Sequence, residues 1–310
     1  GAIFGYTFQS KDIVSNNNEV GYEPWAVDSN GNKYLARDWE MRFYDLTRER
    51  EGMTIDMDFE YSPNTSFFAN YLFNEYVDDE IRHKDEYRAR NVVESSITST
   101  SAAYQRITAD KETRKRIETR QIKTQIVGGE TNLGDFNFKF QASNSFAEEA
   151  DDNNVDAKFR SECRIREGDE ICGTYNWSNP QFIDLVLAPA ASDLLDPSSY
   201  GWDEFEIDYG VIQDKEKAVK FDFENENFEL LSTPMVLQFG YKYSTRTKSN
   251  TEGNIDGSDA MSPLGMISYS PYTPDKWYFP QTLGFFADPD LLFGAQDQFR
   301  PLDVDLADFW

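Results

Sequence analysis

Along several stretches of this chain, apolar or aromatic residues occupy every second position and polar residues fill the gaps. The clearest case sets Phe136, Phe138, Phe140 and Ala142 against Asn137, Lys139, Gln141 and Ser143. Alternation with period two predicts β-strands that have one apolar and one polar face, because successive side chains point to opposite sides of a pleated backbone. Met53, Ile55, Met57, Phe59 and Tyr61 repeat the pattern against Thr54, Asp56, Asp58 and Glu60, and Met235, Leu237, Phe239, Tyr241 and Tyr243 repeat it against Gln238, Gly240 and Lys242.

Taken together the pattern predicts about seven strands, near residues 2–11, 39–61, 67–90, 111–130, 136–149, 208–224 and 235–248. Their connections are unequal. Ser62 to Ser66, Asn132 to Asp135 and a slightly longer stretch around Asn225 to Pro234 read as turns on one edge, whereas the connections on the other edge run to dozens of residues. The apolar alternation lasts about nine residues next to each turn, close to the length an outer-membrane strand needs to cross a bilayer. Beyond it come charges such as Arg48, Arg50, Glu75, Asp79 and Arg82. The expected fold is therefore all-β: an antiparallel transmembrane β-barrel wall of long meandering strands with long extracellular loops. Residues 249–310, with six of the twelve prolines and clustered aromatics, read as one long extracellular loop.

On this reading the polar faces look into an aqueous lumen and supply the candidates for contact with solute. Asp56, Asp58, Asn70, Asn137, Lys139, Gln141, Lys220, Asp222, Gln238 and Lys242 fall there directly. Taking Ile122, Thr124 and Ile126 as the apolar side of the fourth strand adds Lys123 and Gln125. Phe68 and Leu72 fall on the same wet side, where contact with some internal body is the expected reason. In the long loop, Trp277, Tyr278, Phe285 and Phe286 are candidates for stacking on a ligand.

Composition sharpens this picture. Twenty-four Phe and seventeen Tyr beside a mean hydropathy of −0.67 suit long strands and aromatic girdles better than a Leu-rich soluble core. A net charge of −26 disfavours nucleic-acid binding, and attraction to anionic lipid over most of the molecule. No apolar run is long enough for a membrane helix. The first residues read as a strand rather than a leader, and Leu302, Val304 and Leu306 as the start of another, so an internal piece of a longer chain is expected.

Chemical signatures are few. Cys163 and Cys172 are the only cysteines and are expected to form a short loop disulfide, implying an oxidising compartment. His83, the only histidine, is expected on an exposed polar strand segment, and no nucleophile elbow accompanies it. Neither an enzymatic role nor a cofactor or metal is expected.

Arg37-Asp38-Trp39-Glu40, Tyr44 through Gly52, Ile55 through Phe59 and Phe73 through Glu80 resemble the early barrel strands of TonB-dependent outer-membrane receptors. Ile126 through Glu130 with Leu133 through Phe136, and Leu237 through Tyr243, are similar in the same way. The resemblance implies a barrel of about 22 strands closed by a plug, located in the outer membrane of a Gram-negative bacterium. It also implies energised import of a scarce small molecule, such as a siderophore, or an oligosaccharide through the TonB complex. This chain shows neither plug nor TonB box, so it would supply about a third of the wall, and its partners would be membrane lipid, the plug and the remaining strands. Two alternatives stay open: a passive porin-like or structural barrel, and a secreted soluble β-sandwich that binds glycans.

Overall fold

The computed structural model describes residues 1–21, 24–36, 38–179, 182–230, 233–256, 269–271, 285–287 and 289. Seven long strands cross one antiparallel sheet in chain order: β1 (Ala2–Val20), β4 (Asp38–Ser62), β5 (Thr65–Val92), β6 (Ser101–Leu133), β7 (Phe136–Arg164), β10 (Gly201–Leu230) and β11 (Thr233–Asp256). Shorter strands serve the far end. A hairpin of β2 (Trp25–Val27) and β3 (Lys33–Leu35) lies between β1 and β4, while β8 (Gly173–Asn179) and β9 (Phe182–Leu187) extend the sheet beside β6. A small ladder joins β12 (Tyr269–Pro271) to β13 (Phe285–Ala287).

The meander follows from its turns. Pro63-Asn64 links β4 to β5 in two residues, and Gly134-Asp135 links β6 to β7, with Gly134 at φ +67°, where a side chain is rarely tolerated. Such short links force adjacent strands to pair.

Register fixes which residues share a face, since directly paired residues project to the same side. One row runs Ala2, Met57, Ala69, Val127, Ala142, Val219, Tyr243, and the next towards the turns runs Phe59, Phe67, Gly129, Phe140, Phe221, Tyr241. These rows define an apolar face. Between them lies a row of the opposite, charged face: Asp58, Phe68, Gly128, Gln141, Lys220, Lys242. The consecutive glycines let rings lie flat on the sheet. A Cβ on Gly128 would stand 2.6 Å from Phe68 Cζ, and one on Gly129 would stand 2.9 Å from both Phe67 and Phe140. Phe68 is thus explained locally, as the ring covering a side-chain-free spot on the charged face, without an external partner.

The apolar face has two halves. Near the turns it is bare: Tyr6 is 55%, Phe59 61% and Phe239 64% exposed. At the far end the same face carries the core, with Trp39, Met41, Phe43, Tyr87, Ala109, Ala157, Phe159 and Phe205 buried beneath Leu35, Tyr175, Leu194 and Phe286 from the connecting segments. Tyr175 donates to the Tyr87 carbonyl at 3.0 Å, and Tyr104 donates to that of Leu35. Burying these rings stabilises each by roughly 2 to 3 kcal/mol, which pins the loops to the wall.

All seven strands run further than the alternation predicts. β7 reaches Arg164 rather than residue 149, β6 begins at Ser101 rather than 111, and β11 continues to Asp256, into the segment expected as loop. There both faces carry charge, so alternation fades while pairing continues. The rest of that expected loop, with Trp277 and Tyr278, lies outside the described residues except for β12, β13 and residue 289.

Candidate functional site

The charged face is the candidate site, and its far half is an ion-pair lattice built by register. Strand pairing sets Arg42, Lys84, Glu112, Lys158 and Glu204 in one row and Glu40, Glu86, Asp110 and Arg160 in the next. Neighbouring rows then neutralise each other. Asp110, 1% exposed, accepts from Arg160 Nε at 2.7 Å and also pairs with Arg88. Lys84 reaches Glu112 at 2.7 Å, Arg82 pairs with the same carboxylate, and Arg160 continues to Asp203 at 2.6 Å. Burial works against the charge of Glu112, but Arg82 and Lys84 outweigh it and hold the carboxyl below its ordinary range. Pairing on this scale explains how so acidic a chain keeps carboxylates on a packed wall.

Nearer the apolar band the lattice opens. Arg48 forks onto Asp78 with two bonds of 2.8 Å, and the Tyr76 hydroxyl donates to the same carboxylate at 2.6 Å. Burial opposes the Asp78 charge, and these donors override it, so Asp78 also titrates low. The guanidinium carbons of Arg48, Arg50 and Arg120 lie 4.9, 5.5 and 5.9 Å from the Tyr76 ring centre. Arg120 is held by Glu118 and Glu149, whereas Arg50 is exposed and makes no ion pair among the described residues. Beside it a hollow of about 490 Å³ is lined by Thr7, Gln9, Arg50, Asn74, Tyr76 and Arg120, among others. Its donors and aromatic ring suit a polar solute or a polar protein surface.

Ten of the twelve polar candidates share this face. Asp56 pairs with Asn70, Gln141 with Lys220 and Lys220 with Lys242, while Lys139 faces Asp222 and Asn137 and Gln238 both face Glu224. Lys220 bonds Asp222 at 2.6 Å. Lys123 and Gln125 are the two exceptions: they pair with Phe73 and Tyr71 and so project from the apolar face, with Lys123 Nζ 5.7 Å from the Phe73 ring centre. Their neighbours Ile122 and Ile126 occupy the charged face. The expectation failed because two isoleucines at alternate positions on β6 outweighed the weaker signal of Val127 and the flat Gly129.

The loop aromatics also need correction. Phe286 is 1% exposed with its ring 4.6 Å from that of His83, and Phe285 packs edge-on against Tyr200 at 5.1 Å. Both are structural props rather than surfaces open to a ligand. His83 itself is buried, its Nδ1 3.1 Å from the Thr113 hydroxyl, and desolvation pushes its pKa down to about 4. Beside it, Lys111 bonds Asp85 at 2.6 Å, with both side chains almost fully buried. Pattern reading missed this cluster because its alternation, Trp39, Met41, Phe43 on β4, is matched on β5 by His83, Asp85, Tyr87, which looks polar.

A disulfide joins Cys163 and Cys172, with Cα atoms 5.8 Å apart, and ties the end of β7 to the start of β8. No group of histidines, cysteines and carboxylates arranged to hold a metal occurs among the described residues.

No protein-family model matches the chain, and no curated protein or solved structure does either. The functional reading therefore stands on the chain's own geometry.

Proposed function

We propose that the chain forms part of the wall of a TonB-dependent outer-membrane receptor, importing a scarce nutrient such as a siderophore or oligosaccharide. The apolar face near the turns meets lipid, and the charged face lines the lumen and contacts solute or plug. The plug, the remaining strands and the TonB complex are the partners this role requires, and no catalytic step is assigned to the chain.

One observation carries the reading: the apolar band is exposed, and its far edge steps towards the turns between β1 and β6. Its edge away from the turns lies at Phe8 on β1, level with Glu51, and at Met53 and Phe73 on β4 and β5. On β6, β7, β10 and β11 it lies at Val127, Ala142, Val219 and Tyr243, all level with Met57, six positions closer to the turns than Glu51. Six residues along a strand are about 20 Å, and the whole of that shift falls between β1 and β6, the edge staying level from β6 to β11. Outer-membrane strands are tilted, and a band whose far edge descends along the sheet is in keeping with that. A soluble sheet has no reason to stagger its exposed rings in this way, and a sandwich would have covered them.

Extraction and depth measurements test the proposal. With the full chain in vesicles, a nitroxide at Phe138→Cys or Phe239→Cys is expected to be relaxed by oxygen dissolved in lipid, and one at Asn137→Cys or Gln238→Cys by a water-soluble nickel chelate. Release of the native protein by salt alone, or equal access of the chelate to both sets, overturns it. Uptake that stops when the cells are de-energised then separates the receptor from a passive pore.

A further inference from the structure

We infer that the outward face, just beyond the apolar band, carries a binding site for the phosphate of a lipid headgroup; this rests on the reading that the band lies in lipid. The site centres on Lys123, Lys215 and Lys217. Lys123, Phe146 and Lys215 occupy one row across β6, β7 and β10, and Lys217 sits in the next row with Asn144. All three lysines are exposed, and none makes an ion pair among the described residues. Most basic side chains on the charged face, by contrast, have a carboxylate partner.

Two features point to a lipid rather than to a mobile counter-ion. First, the lysine stems lie on rings: Lys215 Nζ is 5.5 Å from the Phe146 centre and Lys123 Nζ 5.7 Å from that of Phe73. An aliphatic stem on an apolar surface with its ammonium at the edge is how lysine sits at the boundary between hydrocarbon and water. Second, the surface towards the turns is hollowed. Ala142, Val219 and Tyr243 with Asn144, Lys217 and Thr245 line a depression of about 470 Å³. Ala142 leaves the space that its row neighbours fill, and an acyl chain lying there would bring its headgroup under the lysines. Their backbone positions span about 10 Å across two strand spacings, within the reach of lysine side chains converging on one phosphorylated headgroup.

The next row carries two carboxylates, Glu75 on β5 and Glu148 on β7, and the one between the lysine-bearing strands is already engaged. Glu148, one row further from the turns, accepts from Gln121 at 2.5 Å and Gln213 at 2.7 Å and is 6% exposed. Its charge is engaged by amides rather than by the lysines. A chain of net charge −26 thus presents a local cationic spot at the boundary where an anionic headgroup would lie.

The test is a titration of the full chain in neutral detergent micelles with a fluorescent-tailed phosphatidic acid, against diacylglycerol with the same tail and against inorganic phosphate. Saturable binding of phosphatidic acid alone is expected. Lys123→Gln, Lys215→Gln and Lys217→Gln combined are expected to weaken it roughly a hundredfold, from about one power of ten or slightly less per lysine. The triple Lys→Arg variant is expected to retain it. Lys11→Gln with Lys248→Gln, on the opposite face, is expected to leave it unchanged. Equal binding of diacylglycerol, full competition by inorganic phosphate, or an unaffected triple Lys→Gln variant overturns the inference. The nitroxide measurement above reports separately on the membrane reading, so the two failures are distinguishable.

Discussion

Phe286 covers His83, ring on ring with centres 4.6 Å apart, and so joins the last described strand to the middle of β5. Among the groups around the imidazole are the Thr113 hydroxyl on β6, the Phe286 ring, Phe43 paired with it on β4, and the nearby Lys111 and Asp85 pair. Burial holds the imidazole neutral, with its pKa lowered from 6.5 to about 4. The unfolded chain takes up a proton near 6.5 while the folded one resists until about 4, so stability is fully present above 6.5 and falls as pH drops through that window. The loss should approach about 3 kcal/mol at the acid end. Thermal unfolding at about pH 7 and about pH 5 should show it, and His83→Gln should flatten this part of the profile.

Asp110 holds two arginines from opposite sides, Arg88 on β5 and Arg160 on β7. Asp110→Asn keeps the shape but leaves two guanidiniums beside a neutral amide. The expected cost is about 3 kcal/mol, less than for a fully buried pair because both arginines are partly exposed to water. Urea unfolding of the variant measures it, and the double change with Arg88→Gln should recover part of the loss.

The disulfide closes a short loop. Removing it with Cys163→Ser and Cys172→Ser together should cost about 2.5 kcal/mol in the chain-entropy account. The effect should centre on the seating of β8 against β6, read by hydrogen exchange around Tyr175 and Cys172.

Neighbouring positions on β7 should respond oppositely to the same charge. Phe140→Arg, on the apolar face, is expected to cost roughly 2 to 4 kcal/mol in a bilayer. Gln141→Arg, on the charged face, should stay within about 0.5 kcal/mol. Folding into vesicles at increasing urea gives both numbers, and equal costs would contradict the assignment of faces.

Much of the fold was legible because it repeats with period two: the order of the seven strands, two tight turns and the faces of β4, β7, β10 and β11 follow from Met53 to Tyr61, Phe136 to Ala142, Val219 to Phe223 and Met235 to Tyr243. The phase of β6 did not follow. Its apolar face carries Lys123 and Gln125 while its charged face carries Ile122 and Ile126, and only pairing with Phe73 and Tyr71 decides the matter. Strand extent failed for a related reason. Where Arg82 meets Glu112 and Arg160 meets Asp110, cohesion comes from partners on other strands, and a single strand read alone looks polar on both sides. Of the candidate site, the residues near the turns were visible one by one. The openness around Arg50 and Tyr76 depends on what lies across the strands and was not.

Six successive antiparallel pairings carry the sheet from β1 to β11, so its first and last strands point the same way. Joining those two borders directly would make a parallel seam, foreign to a meander of this kind. Parity then constrains any complete cylinder built around this sheet: the arc running from β11 round to β1 must contain an odd number of strands.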